Sequence, residues 1–139
     1  MAQIAIVPFV LKDILLTIGT DNYETNVSTV HFTPTVSQVT WQGLTPASAF
    51  TDMTSPTWTC ELSYAQDWKT ANSLANYLLA NSGLSKVLVF KPRGAATGDA
   101  IFTATCLIVP GEIGGDVNTV QVGSVSLGVI GAPVKTANP

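Results

Sequence analysis

Only a few side chains in this sequence are of the types that do chemistry, and they are scattered along the chain. There is one histidine, His31, and the two cysteines, Cys60 and Cys106, do not share a C-x-x-C spacing. A zinc site made of these three would still need a fourth ligand. Each cysteine lies in an apolar stretch typical of a strand, which favours two buried thiols. A disulfide between them is the alternative. We therefore predict no metal site.

The carboxylates and the glycine-rich segments do not define a catalytic site either. No two of the nine acidic residues stand out as a glycosidase-like pair. The segments Gly94–Gly98 and Gly111–Gly115 lack the Lys-Ser/Thr ending and the following helix of a phosphate-binding P-loop, so they predict hairpin loops. We expect no catalytic residue and no cofactor, and hence a chain that is not an enzyme.

The composition favours a protein that associates with copies of itself. Charged residues make up 11% of the chain, against roughly 25% in an average soluble domain. A surface poor in charge is a liability for a free monomer. The net charge is −3, and the densest basic pair, Lys91 and Arg93, does not form the cluster that binds phosphates tightly.

The length of 139 residues predicts a single domain spanning residues 1–139. Its start lacks the positive region of a signal peptide, and the apolar run Ile4–Leu11 is shorter than the roughly 20 residues needed to cross a bilayer. We therefore expect no membrane anchor and synthesis in a cytoplasm.

The elements that position these residues are mostly strands. Residues 57–66 alternate cleanly, with Trp58, Cys60, Leu62 and Tyr64 on one face. Pro34 separates two further strands and fits an edge or a bulge, because it cannot donate to a ladder. A closing ribbon over residues 114–134 is expected to bulge at Gly123 and to stop at Gly131-Ala132-Pro133.

One amphipathic helix is predicted over about residues 67–82. Asp67 is its expected N-cap and Gly83 its expected C-cap. Its apolar stripe consists of Ala71, Leu74, Ala75 and Leu78. With the strands, it predicts a mainly β (α+β) fold, a β-sandwich or barrel with one flanking helix.

Residues 43–56 lack a strand or helix period and predict a long loop. Long loops in compact domains are usually functional or disordered. Its apolar side chains pack either on their own domain or on a neighbouring subunit. The candidate subunit-interface residues are Leu44, Pro46, Phe50, Met53 and Pro56.

Several segments, in this order, resemble the major tail tube proteins of long-tailed, non-contractile bacteriophages, particularly those of actinobacterial hosts. The resemblance covers nearly the whole chain. The segments are Asp13–Gly19, Tyr23–Trp41, Thr57–Trp68, Asn72–Leu78, Pro110–Asn118 and the closing ribbon.

The resemblance implies a structural virion protein that forms hexameric rings, which stack into a hollow tail tube. DNA would pass through the lumen without specific binding. The implied partners are further copies of the chain, the tape measure protein, the tail terminator and distal tail proteins. In this family a long loop in the first half of the chain commonly mediates ring contacts, and residues 43–56 occupy the matching place.

Two other hypotheses about the function are compatible with the sequence. One is another virion β-protein, such as a capsid decoration or tail completion protein. The other is a carbohydrate- or protein-binding β module in which Trp41, Trp58 or Trp68 stacks on a ligand, although Trp58 and Trp68 are patterned as core residues.

Overall fold

The computed structural model describes residues 2–94 and 98–138, and in these residues the fold is mainly β with one helix. Residues 95–97 of the predicted Gly94–Gly98 loop, and the two terminal residues of the predicted domain, lie outside the described residues. The elements are β1 Leu15–Ile18, β2 Asp21–Asn22, β3 Val27–Thr35, β4 Gln38–Gln42, β5 Ala49–Met53, β6 Thr57–Ala65, α1 Leu74–Ala80, β7 Ser85–Lys91, β8 Ala100–Leu107 and β9 Val122–Ala137.

Seven of the strands form one antiparallel sheet in the order β2-β1-β7-β8-β9-β6-β3. β3 and β7 are four places apart in it, which is about 19 Å in a flat sheet. The rings of Phe32 in β3 and Phe90 in β7 nevertheless have centroids 6.3 Å apart. The sheet therefore curls until its two halves face each other across the core, which confirms the predicted mainly β fold with one helix.

The core side of the sheet follows the alternation read from the sequence. Cys60, Leu62 and Tyr64 in β6 are fully buried, and Trp58 is half-buried. Pro34 lies inside β3, opposite Trp58, and does not separate two strands as predicted. Because β3 is an edge strand, the missing N–H of Pro34 is tolerated there, in one of the two positions that the sequence suggested.

The helix is shorter than predicted, and its caps are different residues. The N-cap of α1 is Ser73, whose hydroxyl accepts from the N–H of Asn76, and its C-cap is Asn81, whose N–H donates to the carbonyl of Tyr77. Asp67 instead accepts from the N–H groups of Lys69 and Thr70 in a preceding turn. A turn intervenes because Ser73 also bonds back to the carbonyl of Asp67.

Gly83 is not the C-cap but lies two residues beyond it, with φ of +89° in the turn that leads to β7. The buried face of the helix is close to the prediction, with Leu74, Ala75 and Leu78 in the core. Ala71 precedes the helix and is exposed. This helix of seven residues is far too short to cross a bilayer, and the described residues contain no helix that could do so.

The closing ribbon also differs from the prediction. It begins at Val122, and Gly123 pairs in regular register with Tyr64, so there is no bulge at that glycine. A Cβ at Gly123 would lie 3.1 Å from the Tyr64 ring, so the position accommodates that ring. The irregularity lies between Ile130 and Val134, where Gly131 has φ of +82°. The strand therefore bends at Gly131-Ala132-Pro133 and continues to Ala137.

The prediction of a long loop over residues 43–56 is wrong, because β5 occupies much of its second half. β5 pairs with β4 in a separate two-stranded sheet, the hairpin, which extends from Ser37 to Thr54 between β3 and β6. Period-2 alternation in β4 was present in the sequence, but β5, Ala-Phe-Thr-Asp-Met, is too short and too mixed to show it.

Candidate assembly surfaces

The hairpin is closed by hydrogen bonds at both ends. At its base, the N–H of Thr54 donates to the carbonyl of Ser37 at 2.8 Å, and the N–H of Ser37 donates to the Thr54 hydroxyl at 3.0 Å. At its tip, the N–H of Gly43 donates to the carbonyl of Ser48. A Cβ at Gly43 would lie 2.5 Å from that of Ser48, so the tip depends on this glycine.

The two faces of the hairpin differ in chemistry. Directly opposed residues share a face, and the register pairs Trp41 with Phe50 and Val39 with Asp52. We call this set, Val39, Trp41, Phe50 and Asp52, the hairpin face. Its three apolar members are 49%, 64% and 58% exposed. An isolated two-stranded hairpin is marginal in water, so such a face needs a covering surface.

The interface residues predicted from the sequence lie in four different parts of the hairpin region. Phe50 lies on the hairpin face, and Met53 lies on the opposite face across from Gln38. Leu44 and Pro46 lie in the tip, where Leu44 is fully exposed, and Pro56 is exposed between β5 and β6. All five are exposed, and their role in an interface stays a prediction.

Sequence reasoning missed Val39 and Trp41 as members of this surface. Their signal was available, because in β4 they alternate with Gln38, Thr40 and Gln42. Alternation alone predicts a strand here but not a separate hairpin, since nothing in the local sequence shows which partner β4 pairs with.

A second surface is the outer face of β3, β6 and the first half of β9. In register, Thr29 lies opposite Ser63, and His31 lies opposite Glu61. Glu61 in turn lies opposite Ser126. These strand segments contain no lysine or arginine. We call this surface the hydroxyl face, and its hydroxyl-bearing residues are Thr29, Thr33, Thr35, Thr57, Thr59, Ser63, Ser124 and Ser126.

A third surface is an apolar opening at the end of the curled sheet from which the hairpin emerges. Five side chains from five strands line a cavity of about 290 Å³ there, which we call the aromatic mouth. Its lining residues are Phe32, Trp58, Phe90, Phe102 and Pro133. Local sequence could not group them, because Phe32 and Pro133 are 101 residues apart in the chain.

The rim of the mouth carries charge. A groove that shares Phe102 with the mouth is also lined by Arg93, Asp99 and Lys135. Arg93 pairs with Asp99 at 3.6 Å and lies 5.8 Å from the centroid of the Phe9 ring. Phe9 belongs to an exposed segment, residues 2–12, that has no regular secondary structure.

The two cysteines are buried, as the apolar pattern around them predicted, and the one histidine is on the surface. His31 is exposed on a strand, and Cys60 and Cys106 are buried free thiols. A hydrogen bond with Cys106, together with burial, raises the pKa of the Cys60 thiol. Such a thiol stays protonated and unreactive. Across residues 2–94 and 98–138, no three potential metal ligands come together.

No protein-family model matches the chain, and no curated protein matches it. Among solved structures, it is similar to a chain in the virion of a native gene transfer agent (GTA) particle. The TM-score is 0.62 and the sequence identity 13%, and the match covers 90% of this chain and 96% of that chain. At that identity the two chains share a fold over nearly their full lengths.

Proposed function

We infer that this chain is a structural virion protein that assembles with copies of itself into stacked, hexameric rings and so forms the tail tube of a long-tailed phage. The observation that carries the proposal is the exposed hairpin face on a chain whose fold matches a virion chain over 90% of its length. In a virion, neighbouring copies would cover that face and the open edge of β3.

The hydroxyl face supports a role as the wall of the lumen. Duplex DNA is held chiefly through its phosphates by lysine and arginine. The hydroxyl face offers neither. Its carboxylates, Glu61 on β6 and Glu112, which accepts a hydrogen bond from the Ser124 hydroxyl, would repel phosphate weakly. Such a surface would let DNA slide during delivery into a host cell.

The remaining parts of the proposal follow from the sequence resemblance: a non-contractile tail, an actinobacterial host, synthesis in the host cytoplasm, and contacts with the tape measure, terminator and distal tail proteins. We propose no catalytic activity and no cofactor, since the surfaces that distinguish this chain are suited to contact and not to chemistry.

The first experiment is negative-stain electron microscopy of the purified chain across a concentration series, with and without a tail-tip complex as initiator. Hollow tubes or stacked rings are the expected result. Trimers or single rings that never stack would instead favour a capsid decoration or tail completion protein. Monomers under both conditions would contradict the proposal.

The substitution Phe50→Asp is expected to abolish tube growth, because it places a second carboxylate beside Asp52 on the hairpin face. Electron microscopy measures the loss, and circular dichroism checks that the fold is retained. Leu79→Asp on the exposed side of α1 is the matched control and should assemble normally. Normal tubes from Phe50→Asp would remove this side chain from the interface.

A further inference from the structure

The hairpin face and the aromatic mouth are two apolar surfaces of the same chain that remain uncovered. The mouth, at about 290 Å³, is at the small end of ligand pockets, which span roughly 300–1,000 Å³. That size suits one or two large side chains. The hairpin presents two such side chains, Trp41 and Phe50, and their exposure shows that it does not fill the mouth of its own chain.

The two surfaces also carry opposite charges at their margins. Asp52 lies on the hairpin face and is exposed, and Lys135 lies directly opposite Phe102 at the mouth. Within residues 2–94 and 98–138, the single ion pair is that between Arg93 and Asp99, so Asp52 and Lys135 each lack an ionic partner there. The hairpin face therefore combines apolar side chains with an anion, and the aromatic mouth combines apolar side chains with a cation.

The spacing of the groups matches as well. Phe50 and Asp52 are two residues apart along β5, and Pro133 and Lys135 are two residues apart along β9. Two strand residues span about 7 Å. A hairpin face laid over the mouth with Phe50 near Pro133 therefore brings the carboxylate of Asp52 within reach of the flexible Lys135 side chain.

We propose that the hairpin face of one copy docks in the aromatic mouth of a second copy, with Asp52 facing Lys135. The inference rests on the proposed function and names the contact that would build its rings. Because the two docking surfaces differ, the contact is heterologous and generates a ring wherever its rotation closes. Hairpin and mouth lie at the same end of the curled sheet, which suits copies standing side by side.

Charge reversal tests the contact without disturbing the core, because both side chains are exposed. Asp52→Lys and Lys135→Asp, each alone, set like charges against each other and should weaken self-association by about tenfold or more in sedimentation velocity. In an equimolar mixture, every hairpin meets a mouth of opposite charge in the other variant. The mixture should therefore recover wild-type association as alternating rings.

Asp116→Lys and Lys69→Asp provide the control pair, since both residues are exposed and remote from the two surfaces. These variants should associate as the wild type does, alone or mixed. If the wild type associates but the mixture of Asp52→Lys with Lys135→Asp does not recover association, the docking is overturned.

The remaining outcomes separate this inference from the proposed function. Weakening by Lys135→Asp but not by Asp52→Lys would show that another segment, such as residues 2–12, fills the mouth, and it would overturn the hairpin assignment. Recovery in the mixture to rings that never stack would confirm the docking and contradict the tube. A wild-type chain that stays monomeric throughout would overturn both.

Discussion

The hydroxyl of Tyr64 lies in the core and finds no hydrogen-bond partner in the part of the chain that the structure describes. Burial, and then the charge of Glu112, raise the pKa of this phenol. The backbone accommodates the ring at Gly111 and Gly123, where a Cβ would come within 1.8 Å and 3.1 Å of the Tyr64 hydroxyl, respectively. Shape, and not hydrogen bonding, therefore fixes Tyr64 at this position.

Tyr64→Phe is accordingly expected to leave the free energy of unfolding unchanged or to raise it by about 1 kcal/mol, because an unpaired buried polar group is removed. Urea unfolding measures the change. Tyr23→Phe is the matched control, since the Tyr23 hydroxyl donates to Asp21, and it should lower stability slightly. A clear loss at Tyr64 and none at Tyr23 would show that the roles are reversed.

At the scale of elements, the start of α1 illustrates competition between two capping residues. Asp67 and Ser73 are both residue types that cap helices well. The hydrogen bonds of Asp67, first from the Thr70 side chain, hold the pKa of this carboxyl below its usual range. Ser73 is nevertheless the cap, because its hydroxyl links the helix start to the preceding turn and is buried there.

Ser73→Ala should therefore lower the free energy of unfolding by about 1–2 kcal/mol. Asp67→Ala should cost less, since its carboxylate caps only an exposed turn. Chemical denaturation of both variants, followed by far-ultraviolet circular dichroism, compares them. A larger loss of stability in Asp67→Ala than in Ser73→Ala would show that Asp67 is the cap of the helix.

At the scale of the whole molecule, charge is distributed so that the hydroxyl face carries no cation. If this face lines the lumen, one new lysine per chain repeats around every ring. Glu61→Lys is expected to leave tube assembly intact but to make tubes retain short duplex DNA, with an affinity that falls steeply as salt rises.

Cosedimentation of assembled tubes with DNA at two salt concentrations measures this effect. Asp116→Lys changes the net charge equally but lies in an exposed loop after β8, so its tubes should bind less DNA than those of Glu61→Lys. Equal binding by both variants would show that the hydroxyl face does not line the lumen.

The sequence by itself determined the local features of this chain. Alternation in β6 marked Cys60, Leu62 and Tyr64 as core, since a strand exposes opposite sides in turn. The missing N–H of Pro34 predicted an edge or a bulge, and the spacing of Leu74, Ala75 and Leu78 marked the buried side of the helix. The apolar residues between 43 and 56 predicted packing on the chain's own domain or on a neighbouring subunit, and it is the structure that shows them exposed.

Tertiary structure alone decided how these pieces combine. Curling of the sheet depends on twist accumulated over seven strands and on the irregularity near Gly131, which no local pattern encodes. That curl brings Phe32 to Phe90 and assembles the aromatic mouth from five strands. Likewise, β4 pairs with β5 and not with the main sheet, and only this pairing places Trp41, Phe50 and Asp52 on one face.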